Sequence, residues 1–123
     1  MFKKLKKLRW LKKQNMLDLI PTRTVPFTIR DDQRVVLQIK RFPVKGMAKL
    51  LGKSDFVQVT LDEKGSIVWL RIDGQKTISN ICEEIDSTHA FAQQEMIEER
   101  VAAFILTLYR QDYIDFVYRE MNY

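Results

Sequence analysis

The sequence predicts an α+β domain in which a small antiparallel three-stranded sheet is followed by three helices. Two patterns carry that expectation. Between Val25 and Leu61 the apolar residues come in short, β-branched, alternating runs, and beyond Asp62 they recur at helical spacing to about Gln111. A third observation sets the scale: 123 residues, 46% of them hydrophobic, with no internal repeat or low-complexity tract, suit one compact domain plus an extension. The expected division is a basic extension over 1–20 and a domain over 21–123.

Val25–Arg30 and Val35–Lys40 flank the turn Asp31-Asp32-Gln33 and read as a hairpin. Val35, Leu37 and Ile39 alternate with Val36, Gln38 and Lys40, so the first set forms the more apolar face. A short amphipathic piece, Met47–Leu51, follows and is closed by Gly52. Phe56–Leu61 supplies the third strand, with Phe56, Gln58 and Thr60 on one face and Val57, Val59 and Leu61 on the other. Asp62 stands where a helix cap is needed, and the first helix is expected over about Asp62–Ile72, with Ile67 and Leu70 inward and Trp69 nearby. Asp73-Gly74 provides the positive-φ residue that ends it. Thr77 caps the second helix, whose Ile78, Ile81, Cys82 and Ile85 follow i, i+3, i+4, i+7. The third helix is expected from about Phe91 to Gln111, burying Ile97, Val101, Phe104, Ile105 and Leu108. Tyr113–Tyr118 alternates, as one more short strand or as a continuation of that helix. Strands followed by three helices in this order are winged helix-turn-helix-like.

Charge is concentrated at one end. Residues 1–13 hold seven basic groups and no acid, which leaves 14 basic against 16 acidic side chains in the rest. The net charge of +5 therefore belongs to the tail, and the domain itself is slightly acidic. In that tail Phe2, Leu5, Leu8 and Leu11 recur every three residues beside Trp10, an apolar stripe opposite lysines. It is too short and too charged to span a bilayer, and it lacks the apolar core and cleavage site of a signal peptide. Three readings stand: a helix packed on a partner or on the domain, a peripheral anchor at the inner face of the membrane, or a solvated arm. Pro21 ends any helix there.

The side-chain inventory points away from catalysis. No glycine-rich phosphate loop and no nucleophile elbow occur, and the single His89 has no evident orienting partner. One cysteine, Cys82, reads as a buried structural thiol, implies a reducing, cytoplasmic setting, and with one histidine makes no zinc site. The pairs Glu83/Glu84 and Glu98/Glu99, with Glu95, read as solvated helical faces. No cofactor is expected. DNA binding, the alternative that a winged helix raises, is disfavoured: the third helix would begin with Glu95, Glu98 and Glu99 around Arg100, with only Gln93 and Gln94 suited to base edges.

The segment Leu61–Ile85, LDEKGSIVWLRIDGQKTISNICEEI, resembles the characteristic block of the PqqD family, small proteins of pyrroloquinoline quinone biosynthesis. The matching residues are Leu61-Asp62-Glu63, Gly65, Val68-Trp69, Asp73-Gly74, Lys76-Thr77-Ile78, Ile81 and Ile85. The family's ending corresponds to Tyr113-Ile114, with Asp112 where glycine is usual, so that the resemblance runs over roughly Phe56–Phe116. The basic tail and the insertion Phe42–Lys53 depart from the family pattern.

The resemblance implies a non-catalytic peptide chaperone, a recognition element that binds the leader of a ribosomally made precursor peptide and presents it to a radical SAM enzyme. Such a peptide adds a strand to a sheet edge and lays its side chains beside a helix. By position the edge is Phe56–Leu61 and the helix is roughly Glu98–Tyr109. The candidate contacts are then Phe56, Val57, Gln58, Val59 and Thr60 on the strand and Arg100, Phe104, Thr107 and Leu108 on the helix. Val57, Val59, Phe104 and Leu108 read equally well as core. A membrane-surface scaffold is the third function class, carried by the tail alone.

Overall fold

Val35–Lys40 is the strand on which the rest of its sheet is assembled. The computed structural model describes Trp10 and residues 15–40, 46–52, 56–89 and 96–117. In chain order its elements are β1 (Pro21–Arg23), β2 (Phe27–Ile29), β3 (Val35–Lys40), α1 (Met47–Leu50), β4 (Phe56–Thr60), α2 (Glu63–Arg71), α3 (Ile78–Thr88), α4 (Ile97–Arg110) and β5 (Ile114–Phe116). A 3₁₀ turn, Met16–Asp18, precedes β1. The expected α+β architecture, a small antiparallel three-stranded sheet followed by three helices, is present.

The chain divides into two compact units, one of residues 25–70 and one of residues 1–24 with 71–123. The first unit holds the three-stranded antiparallel sheet, in the order β2-β3-β4. Phe27 faces Leu37 across β2–β3, and Val59 faces the same Leu37 across β3–β4. The apolar set therefore lines one face, as the alternation predicts, and Val35 and Leu37 have no exposed surface. Val36 is buried as well, although the pattern places it on the opposite face. At the hairpin Gln33 takes a φ of 70°, and Asp32 accepts the Arg34 N–H at 3.2 Å.

The cap of α2 forms as expected, with Asp62 Oδ1 accepting the Gly65 N–H at 2.7 Å. Its inward face differs from the expectation. Gly65, Ser66, Val68 and Trp69 are buried, Ile67 is half-buried, and Leu70 is exposed. The reason is helical phase: residues 65, 68, 69 and the following Ile72 share one face at spacings of three and four, and Leu70 falls off it. Trp69 packs edge-on to Phe27 at 5.8 Å.

In the second unit Thr77 caps α3 by accepting the Asn80 N–H at 3.1 Å. Ile78, Ile81, Cys82 and Ile85 are all buried, as their spacing predicts. The α4 helix buries Val101, Ile105 and Leu108; Ile97 and Phe104, expected in the same stripe, are only half-buried. The expected start of this helix near Phe91 lies outside the described residues. The sequence reading missed β1, which pairs antiparallel with β5 through Pro21↔Phe116 and Arg23↔Ile114. That pairing settles Tyr113–Tyr118 in favour of a strand, formed by Ile114–Phe116. The segment before β1 is tied in too: Leu19 is buried and its carbonyl accepts the Ile78 N–H at 3.0 Å. Gly74, at φ 77°, donates to the Pro21 carbonyl at 3.0 Å, and a Cβ there would meet Thr22 Oγ1 at 3.2 Å.

Candidate functional site

Among the described residues β4 is a sheet-edge strand, paired only with β3. The register fixes which of its backbone groups turn outward. Leu61 donates to the Val35 carbonyl at 2.9 Å, and Val59 and Val57 oppose Leu37 and Ile39 in the same phase, so these residues direct their N–H and C=O groups into the β3 ladder. The intervening Gln58 and Thr60 direct theirs away from β3.

The side chains of β4 are open as well. Phe56 and Val57 are 48% and 37% exposed, Gln58 and Thr60 are exposed, and Val59 is half-buried. A strand of five residues with no charge, no proline and no glycine lacks the devices that ordinarily blunt an edge. Two more large apolar side chains just before it, Leu50 and Leu51, are 85% and 54% exposed.

The β3–β4 pair is anchored at one end by Ser66. Its hydroxyl accepts the Val35 N–H at 2.9 Å and lies 3.5 Å from the Leu61 carbonyl, and the side chain is buried. A buried hydroxyl with both neighbours satisfied holds the strand end in register. Spacing gave no warning of this, because Ser66 reads as part of an unremarkable GS pair. Nearby, the Trp69 indole N–H is buried without a partner among the described residues.

On α4 the four candidates take different positions. Arg100 and Thr107 are exposed, Phe104 is half-buried, and Leu108 is buried. Leu108 therefore belongs to the core of its own unit, as its alternative reading had it. The Thr107 hydroxyl donates to the Ala103 carbonyl at 3.0 Å, one turn back along the helix. Glu98 and Glu99 occupy the first turn and are exposed, an acidic start that repels a phosphate backbone.

A polar cluster gathers at the start and the end of α3. Lys76 pairs with Glu84 at 2.8 Å, Arg71 lies 3.8 Å from the same carboxylate, and an Arg71 guanidinium nitrogen is 3.3 Å from the Thr88 hydroxyl and 3.5 Å from the His89 ring. Glu84 is thus half-buried in an ion-pair network, a correction to its reading as part of a solvated face. Cys82 is buried, and burial, reinforced by Glu98 and Glu83, pushes its thiol up to about 11. Such a thiol is a poor nucleophile at neutral pH. No helix of the described residues is long and apolar enough to cross a membrane.

Comparison with known proteins gives one result. No curated protein and no solved structure is significantly similar to the chain. The family model described as "Coenzyme PQQ synthesis protein D (PqqD)" matches residues 50–114. That span takes in all of β4, α2, α3 and α4, with the Asp62 and Thr77 caps and the Asp73-Gly74 turn between them. With more than half of its length matched, the chain belongs to the PqqD family.

Proposed function

We propose that this chain is a non-catalytic peptide-binding module that takes the leader segment of a precursor peptide as an added strand on β4 and presents it to a modifying enzyme, of the radical SAM class on the family pattern. The observation that carries the reading is the β4 edge: exposed, uncharged, and with the Gln58 and Thr60 backbone groups turned away from β3. An extended peptide supplies the complementary donors and acceptors, and each such bond contributes about 0.5–1.5 kcal/mol net. Exposed Phe56 and Val57 offer apolar contacts on opposite faces of the added strand. The test is amide chemical-shift perturbation with the precursor peptide encoded beside this gene. Shifts along Phe56–Thr60, weakened about tenfold or more by Gln58→Pro, are expected, because proline removes an outward donor. Shifts confined to residues 1–13, or none, sink the proposal.

A second reading concerns only the tail. Seven basic groups without an acid in residues 1–13, interleaved with Phe2, Leu5, Leu8, Trp10 and Leu11, support peripheral contact with an anionic lipid surface. It is compatible with peptide binding by the domain.

A further inference from the structure

The positive charge of the domain is gathered in one stretch. Beyond residue 13 the chain has 14 basic and 16 acidic side chains. Val35–Leu61 takes five of the basic ones and a single acid, Asp55, which leaves nine basic against fifteen acidic elsewhere. The centre of that stretch is α1, in the connection between β3 and β4. Leu50 and Leu51 there are 85% and 54% exposed, and Lys49 beside them and Lys40 at the end of β3 are exposed too. A Cβ added at Gly46 or Gly52, on either side of the turn, would meet no described atom within 4 Å beyond its chain neighbours, so both ends stand clear. The connection leaves the sheet at the end away from the β2–β3 hairpin, where Arg30 and Arg34 are mixed with Asp31 and Asp32 and Arg30 is ion-paired to Asp32 at 3.1 Å.

We infer that α1 is a lipid-contact element, which sets Leu50 and Leu51 into the boundary of an anionic bilayer while Lys40 and Lys49 meet its headgroups. Charge and apolar exposure together select this occupant. Cations alone serve any polyanion, and exposed leucines alone serve any apolar partner. The edge of an anionic bilayer takes both at once, acyl chains below a layer of negative charge. Lysine fits such a boundary, because its stem lies along apolar surface while the ammonium stays in water. One helical turn holds a surface weakly by itself and stable attachment takes a second signal, so α1 adds to the contact of the basic tail, a point that rests on the reading above.

The test reads α1 directly in the full chain. Leu50→Cys carries a nitrobenzoxadiazole fluorophore; the native Cys82 is buried and stays unlabelled. Mixed phosphatidylserine–phosphatidylcholine vesicles are expected to brighten and blue-shift the label, and lipids with a quencher on the acyl chain to darken it. The same label at Asp31→Cys, in the hairpin at the other end of the sheet, stays aqueous. Leu50→Ser/Leu51→Ser, at positions already exposed, weakens vesicle binding about tenfold or more. A chain that co-sediments while the label at 50 stays aqueous overturns the inference and leaves the tail contact standing; a chain that does not co-sediment overturns both. Equal entry into phosphatidylcholine alone overturns the anionic assignment, and a response to polyglutamate without one to vesicles transfers the surface to an acidic peptide.

Discussion

The Ser66 hydroxyl accepts the Val35 N–H at 2.9 Å and faces the Leu61 carbonyl at 3.5 Å, so a helical side chain stands in for one rung of the β3–β4 ladder. Leu61 already donates to the Val35 carbonyl, and Ser66 completes the return half of that pair. Ser66→Ala leaves the buried Val35 N–H without its partner, at a cost of about 1–3 kcal/mol. Urea unfolding is expected to show a lower midpoint with an unchanged slope, and hydrogen exchange a faster Val35 amide. A loss under about 0.5 kcal/mol, the range of an inconsequential surface change, contradicts this role for the hydroxyl.

Asp112 holds a φ of 64° at the end of α4, in the left-handed region that favours glycine. An L-residue there is strained by about 1–2 kcal/mol, less for aspartate than for most. Its carbonyl accepts the Thr24 hydroxyl at 3.2 Å, a bond that any residue at 112 retains. Asp112→Gly is expected to raise stability by up to about 1 kcal/mol and Asp112→Val to lower it, both read from thermal or chemical unfolding. A destabilised glycine variant sinks the strain argument.

What was legible in the sequence was local. Asp62 and Thr77 sit at their caps, and Ile78, Ile81, Cys82 and Ile85 are buried, because those signals depend on neighbours within one or two turns. The face of α2 was misread, since Leu70 looks as apolar as Val68 until the phase is set by Gly65, Trp69 and Ile72. The β1–β5 pair escaped notice because Pro21 and Phe116 lie far apart in the chain and three residues carry little alternation. For the candidate site, the alternation of Phe56–Leu61 was visible and its edge position was not. Strand order is a property of the whole sheet, and nothing in FVQVT distinguishes an edge from a centre. Ser66 and the Arg71–Glu84–Lys76 network were missed for the same reason, since each joins residues distant in sequence.

Asp73 sets a pH dependence. The Lys76 N–H, at 2.9 Å, is the main influence holding its carboxyl below the ordinary 3.8; the Gln75 N–H and the Lys76 ammonium add to it, and partial burial opposes. A depressed carboxylate contributes stability that is present above its unfolded pKa and lost as pH falls through the lower folded value. Acid unfolding from about pH 4 downward therefore includes protonation of Asp73. Relative to wild type, Asp73→Asn is expected to be less stable at pH 7 and to lose that difference as the pH is lowered below 3.8. Parallel stability curves for the two proteins across this range argue against the assignment.

The basic tail gives the last prediction, which concerns lipid. Residues 1–13 hold seven cations and no acid, and each cation near an anionic surface contributes about 1 kcal/mol at low screening. The full chain is expected to co-sediment with vesicles containing phosphatidylserine, and a chain beginning at Leu17 is not. Raising salt shortens the screening length from about 10 Å at 0.1 M to about 3 Å at 1 M, so binding falls steeply over that interval. Replacing Leu5, Leu8 and Leu11 with serine separates the two contributions: loss of binding at low salt shows that the apolar stripe enters the interface, and retention shows that charge alone suffices. Equal co-sedimentation of the full and shortened chains removes the lipid reading and returns the tail to packing or solvation.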